Sequence, residues 1–161
     1  MAENLWHVPS YPVDADHARR AVLAQHRELR SLLGRAAATA EASLDGAPRS
    51  PDAVASAIAD IRTTFDVHLT FEEKVLIPLL EMDLPVGPER AQHLREEHVQ
   101  QRAVLEALHR EARSSPSLPT LSVKLAQLVE WLLRDMSEEE QNLLIPEVVR
   151  DDQIAIDQTC G

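Results

Sequence analysis

Apolar residues recur every three or four positions along most of the chain, which is the spacing of one face of an α-helix. Four such stripes occur, separated by segments that contain proline, glycine or serine. They predict helices A to D near residues 14–44, 51–83, 88–113 and 120–150. Pro78 and Pro146 lie inside predicted helices B and D, and because proline cannot donate a backbone hydrogen bond, a kink is expected at Pro78.

Four helices joined by short connections predict an all-α fold, an up-down-up-down four-helix bundle. This bundle is expected to comprise residues 14–150. Residues 1–13 have no periodicity and predict an irregular arm, with Trp6 or Tyr11 as the residue that would pack on the bundle. Residues 151–161 predict a loose tail.

Polar residues interrupt the inward stripe of every predicted helix. His68 and Glu72 lie one turn apart on the inward face of helix B, and a carboxylate buried without a partner costs several kcal/mol. A rise of about 1.5 Å per residue places the interrupting residues of all four helices in one layer. A single inward histidine is usually a hydrogen-bonded core residue, but three with two carboxylates predict a metal site. The candidate ligands are His26, His68, Glu72, His98 and Glu140.

Composition and charge narrow the classes of function. The formal net charge is −11 and no basic stripe occurs, so neither nucleic acid nor an anionic membrane is an expected partner. The single cysteine, Cys160, excludes a disulfide framework and a cysteine-rich metal site. Ligands of nitrogen and carboxylate without thiolate suit iron, manganese or zinc. With no membrane span and no signal peptide visible, a cytoplasmic protein is expected, and its oligomeric state is left open.

An internal similarity places Glu140 in this set. Segment 67–78 (VHLTFEEKVLIP) aligns with segment 135–146 (DMSEEEQNLLIP) at an offset of 68 residues. Glu72 then corresponds to Glu140, whereas His68 corresponds to Met136.

The pattern resembles the hemerythrin-like family of histidine/glutamate cation-binding domains. That family has a histidine on helix A, His-x-x-x-Glu with a Leu/Phe-Pro motif on helix B, Glu-His on helix C, and a second His-x-x-x-Glu with its proline motif on helix D. The matching residues here are His26, His68, Glu72, Leu76-Ile77-Pro78, Glu97-His98, Glu140 and Leu144-Ile145-Pro146.

The resemblance implies two irons bridged by Glu72 and Glu140. The first iron would be complete with His26 and His68, whereas the second would keep His98 but lack the helix D nitrogen, because Met136 stands in that position. An asymmetric centre is therefore expected. Asp135, Glu139 and Glu97 are the candidates to fill the second position, and Glu73 and Gln141 are candidates to orient ligands.

The function implied by the resemblance is that of a non-haem di-iron protein that interacts with dioxygen, nitric oxide or peroxide. Nothing in the sequence chooses among carrier, sensor and enzyme, and no separate acid/base group supports a catalytic assignment. One alternative is a degenerate mononuclear or metal-free bundle that acts as a regulatory or binding module. The other is a di-iron biosynthetic oxygenase with its substrate over Met136.

Overall fold

The computed structural model describes residues 6–9, 13–45, 51–83, 85–114 and 117–149, and these ranges contain helices and no strand. The predicted all-α four-helix bundle is confirmed. Within the same ranges, no helix has the length and apolar character needed to cross a membrane. Tyr11, Cys160 and the predicted tail lie outside the described residues. The helical elements are α1 (Ala15–Leu44), α2 (Pro51–Phe71), a π-helical turn (Glu72–Leu76), α3 (Ile77–Met82), α4 (Gly87–Arg113) and α5 (Leu118–Asn142).

Predicted helix B comprises α2, the π-helical turn and α3 in succession. Pro78 has no backbone N–H, and its ring would crowd the carbonyl of Lys74 in a regular α-helix. The chain widens before the proline instead, and the Ile77 N–H donates to the carbonyl of Glu72, five residues earlier. The disturbance expected at Pro78 is therefore a π-helical turn that begins at Glu72, and such turns are frequent at functional sites.

Predicted helix D ends eight residues earlier than expected, because α5 stops at Asn142 and not at residue 150. Pro146 cannot donate to the Asn142 carbonyl, and here no π-helical turn accommodates it. The N–H groups of Leu143 and Leu144 both donate to the Glu139 carbonyl at 2.8 Å, which closes the helix. The chain then continues as turns through residue 149.

Two apolar clusters form the core. The larger cluster is built from residues of α1, α2, α4 and α5, including Leu29, Ile58 and Leu132, and Trp6 packs against it. The smaller cluster lies around Val22, Leu80 and the segment after α5. Helix α1 packs on α2 and α5, and α4 packs on α2 and α3. The residues between the two clusters along each helix are the polar ones, so the polar layer divides the core.

The connection from α3 to α4 depends on a glycine. Gly87 is buried, and its N–H donates to the Asp83 carbonyl at 2.7 Å. A Cβ atom at this position would lie 1.8 Å from the Leu80 carbonyl oxygen. Only glycine therefore allows the first turn of α4 to approach the end of α3 this closely.

Candidate metal centre

Four buried side chains converge between the two apolar clusters, from α1, from α2 with its π-helical turn, and from α5. His26 comes from α1, His68 from α2, Glu72 from the start of the π-helical turn and Glu139 from α5. Each offers one ligand atom, and these four atoms all lie within 4.8 Å of one another. Among the described residues, this is the group whose types and spacing suit a metal ion.

His98 of α4 joins the group through Glu72. Its Nε2 atom lies 3.2 Å from Glu72 Oε2, and His68 Nε2 lies 3.6 Å from Glu72 Oε1. Glu72 therefore directs one oxygen toward each of two histidines. On the other side, His26 Nε2 lies 3.2 Å from Glu139 Oε2. Two ligands each about 2.1 Å from one metal at roughly 90–120° are about 3.0–3.6 Å apart, so these separations suit cation ligands.

The outward nitrogen of each histidine contacts an oxygen acceptor. His26 Nδ1 lies 2.9 Å from Glu140 Oε1, and His68 Nδ1 lies 2.8 Å from Gln25 Oε1. His98 Nδ1 lies 3.2 Å from Glu73 Oε1. Because these oxygens accept hydrogen bonds, each Nδ1 is the donor, and the Nε2 lone pair of the neutral ring is directed into the centre.

Arginines hold two of these outer carboxylates. Arg30 donates to both oxygens of Glu140, at 2.6 and 3.0 Å. Arg102 donates to both oxygens of Glu73 and, at 3.0 Å, to Asp66 Oδ1. Each arginine fixes the carboxylate that fixes a histidine, which limits the rotation of the ring. The expectation that Glu73 orients a ligand agrees with this contact, whereas Gln141 is exposed.

Four of the inward atoms lack hydrogen-bond partners. Both carboxylate oxygens of Glu72 and the Nε2 atoms of His26 and His98 are fully buried without a hydrogen bond. Buried polar atoms are normally satisfied, because the loss of hydration is costly. Carboxylate oxygens and imidazole nitrogens directed at one point, each without a donor or acceptor to meet, are the environment that a metal cation satisfies. The residues present therefore fit a metal.

The pKa shifts within the centre also favour a bound cation. Burial raises the pKa of Glu139, and the nearby Glu72 carboxylate raises it further. Burial lowers the pKa of His68 to about 3, and the neighbouring His26 contributes in the same direction. Burial opposes protonation of His26, but the carboxylates of Glu139, Glu72 and Glu140 together outweigh burial and leave its pKa raised. His68 is thus neutral, the form in which an imidazole can bind a metal, and a cation would offset the repulsion between the two adjacent carboxylates.

The structure brings together four of the five expected ligands and places the fifth elsewhere. His26, His68, Glu72 and His98 surround the centre, whereas Glu140 lies on the outer side of His26 with its side chain 27% exposed. Glu139, which is 9% exposed, occupies the inward position. The apolar spacing could have identified Glu139 as the inward residue. The stripe Leu125, Val129, Leu132, Met136 alternates steps of four and three, so the next step of three reaches residue 139. The expected stripe instead continued from Met136 to Glu140 by a second step of four, and the alignment of the Leu-Ile-Pro motifs led to the same residue.

With Glu139 inward, the residue one turn earlier is Asp135, not Met136. Met136 is 1% exposed and packs in the larger apolar cluster. Asp135 lines a cavity of about 210 Å³ between α4 and α5, together with Glu97 and Glu139. Burial, followed by the charges of Glu139 and Glu97, raises the pKa of Asp135 to about 7. The side chain of His93, at the rim of the same cavity, is 72% exposed.

The comparisons with known proteins agree with this geometry. A family model described as the hemerythrin HHE cation binding domain matches residues 17–145, which contain the whole polar layer. No curated protein and no solved structure matches the chain.

Proposed function

Because the chain belongs to the hemerythrin HHE cation-binding family, we propose that it is a non-haem iron protein whose centre interacts with dioxygen, nitric oxide or peroxide. The observation that carries the proposal is the convergence of buried ligand atoms without hydrogen-bond partners on one point between four helices. The proposed ligands are His26, His68, Glu72, His98 and Glu139.

In this proposal the centre has two metal positions, and the carboxylates of Glu72 and Glu139 are shared between them. Glu72 directs one oxygen to His68 and the other to His98, so its carboxylate spans the two positions. The first position has two histidines, His26 and His68, and the second has one, His98. The expected asymmetry of the centre is therefore kept in this proposal, with Glu139 in the position that the sequence analysis assigned to Glu140.

Iron bound here would supply a coordination position for the small ligand and electrons for its reduction. The residues of the chain set the conditions around it. Gln25, Glu73 and Glu140 hold the three imidazoles in the orientation that directs Nε2 inward. The apolar clusters above and below keep bulk water from the centre. The cavity between α4 and α5 is lined by Glu139 of the proposed ligand set, so it offers a small molecule a route toward the centre.

One observation favours the mononuclear alternative. The tight group of ligand atoms contains the two histidines of the first position but not His98. A single ion held by His26, His68, Glu72 and Glu139 would suit a regulatory or binding module. The metal count per chain separates this alternative from the two-metal centre. The cytoplasmic location expected from the sequence stays a prediction.

The test is metal content after anaerobic reconstitution of the metal-free protein with Fe²⁺, followed by titration with nitric oxide. We expect two irons per chain and a change in visible absorption that saturates with nitric oxide. Glu72→Gln should abolish both, because it removes the charge shared by the two positions. Glu130→Gln, an exposed charge-matched change on α5, should leave both unaltered. Wild-type protein that retains no iron after dialysis, or that binds iron as well with Glu72→Gln, contradicts the proposal.

A further inference from the structure

The side of the centre between α4 and α5 contains a carboxylate that the proposed ligand set does not use. Asp135 precedes Glu139 by four residues on α5, so the two side chains lie one turn apart on the same face. Both line the cavity of about 210 Å³ that α4 and α5 enclose. Asp135 is half-buried, so its carboxylate lies between the cavity and the core.

Gln101 connects Asp135 to the helix that carries His98. Gln101 follows His98 by three residues on α4, is 1% exposed, and donates from Nε2 to Asp135 Oδ2. A buried amide that holds a carboxylate beside a metal-binding histidine is the arrangement by which proteins orient ligands. Asp135 is therefore held against α4 and not free to turn toward solvent.

Buried atoms of two further side chains on this side make no hydrogen bond. His98 Nε2 and the Glu72 oxygens have no hydrogen-bond partner, and His98 is 0% exposed. The charges of Glu139, Glu97 and Glu72 all act on Asp135. Carboxylates whose charges act on one another in a medium of low dielectric constant repel, and a bound cation would relieve this repulsion.

We propose that Asp135 is the ligand that completes the second metal position, and that this oxygen-rich position accepts Mn²⁺ more readily than the first. The inference rests on the proposed function and specifies one of its two positions. The first position would have two imidazoles, whereas the second would have His98, Asp135 and the carboxylates of Glu72 and Glu139. Carboxylate ligands suit manganese and imidazole suits iron and zinc, so the two positions differ in the ion they favour.

The test begins with metal-free protein reconstituted with Mn²⁺ alone and measured by equilibrium dialysis. Wild-type protein should bind two Mn²⁺ per chain, and Asp135→Asn should bind one. Loss of an orienting partner weakens metal binding about 10–100-fold, so loss of a direct ligand should weaken the second step by at least about 100-fold. Asparagine keeps the size and can still hydrogen-bond Gln101, so the fold should persist, as circular dichroism will report. Glu130→Gln is the charge-matched control and should bind two.

A second variant keeps the test decisive if Asp135→Asn unfolds. Asp135→His supplies nitrogen in place of oxygen, so it should retain two metals but lose its share of Mn²⁺ when Fe²⁺ and Mn²⁺ are offered together without oxygen. A histidine variant that keeps the wild-type Mn²⁺ share overturns the inference.

The outcomes separate this inference from the proposed function. If Asp135→Asn still binds two Mn²⁺ with wild-type affinity, or if Glu97→Gln is the variant that removes the second ion, Asp135 is not the ligand. If wild-type protein binds one ion and Asp135→Asn leaves it unchanged, the inference fails while metal binding stands. If wild-type protein binds neither iron nor manganese, the proposed function fails as well.

Discussion

Glu139 and Glu140 are adjacent in the chain but face opposite nitrogens of the His26 ring. Glu139 Oε2 lies 3.2 Å from Nε2, and Glu140 Oε1 lies 2.9 Å from Nδ1. Successive residues of an α-helix differ by about 100° in direction, so one carboxylate enters the centre while the next reaches the far side of the ring. The two residues therefore have different expected roles.

Substitution of each glutamate by glutamine should distinguish these roles. Glu139→Gln should remove at least one metal per chain, because it deletes a charged oxygen ligand. Glu140→Gln should leave the stoichiometry unchanged and weaken binding by about 10–100-fold, the usual effect of losing a partner that orients a ligand. Elemental analysis gives the stoichiometry and competition with a chelator gives the affinity. Loss of metal with Glu140→Gln but not with Glu139→Gln would restore the ligand set expected from the sequence.

Metal removal should destabilise the fold. Glu72 and Glu139 are buried side by side, and burial and their mutual repulsion raise the pKa of Glu139. A bound cation removes this repulsion, and a ligand present at 100 times its Kd stabilises the native state by about 2.7 kcal/mol. Calorimetry with and without a chelator should therefore show a Tm several degrees higher for the loaded protein. In Glu139→Gln the metal-free form should melt higher than metal-free wild type, because the repulsion is gone; a lower Tm would argue against repulsion as the cause.

Met136 should tolerate an apolar substitution but not a histidine. It is 1% exposed within the larger apolar cluster, so an imidazole there would lose its hydration without gaining a partner. We expect Met136→His to lower the free energy of unfolding by about 1–3 kcal/mol without adding a metal. Met136→Leu, which nearly conserves volume, should cost less than about 1.5 kcal/mol. Urea denaturation and metal analysis measure both effects. A gain of one metal in Met136→His would show instead that residue 136 faces the centre.

Two glycines should respond in opposite directions to alanine. At Gly87 the added Cβ would lie 1.8 Å from a backbone oxygen of α3, so Gly87→Ala must displace the start of α4 and lower stability. At Gly34, inside α1, nothing lies within 4 Å of the added Cβ, and the substitution should stabilise by about 0.5–1 kcal/mol through reduced backbone entropy of the unfolded chain. Thermal unfolding of both variants measures the contrast. Equal effects would contradict the close approach of α3 and α4.

The sequence determined the helices because their pattern is local. Helix α1 begins at Ala15, within one residue of the predicted start, and the side chain of Asp14 caps it by accepting from the His17 N–H at 2.6 Å. His26, His68 and His98 interrupt apolar stripes whose period fixes their direction, so their inward placement followed from spacing alone. The polar layer was equally predictable, since the rise per residue sets the height of each interruption along its helix.

The tertiary structure decided what the period leaves open. A step of three and a step of four both keep a residue near one helix face, so the alternating spacing favoured Glu139 without excluding Glu140. The packing of α5 against α1 places Glu139 inward. The two prolines also show that a local motif does not determine the backbone structure around it. Pro78 follows a π-helical turn that continues the helix, whereas α5 ends before Pro146, although both stand in a Leu-Ile-Pro motif.

The partners of the histidines also came only from the tertiary structure. Gln25 lies 43 residues before His68 and Arg30 lies 110 before Glu140, and no local pattern relates residues so far apart. Such contacts depend on which helices are neighbours and on their relative height, which the assembled bundle sets. The sequence by itself thus specified which residues face inward, and the packing of the helices specified which of them meet.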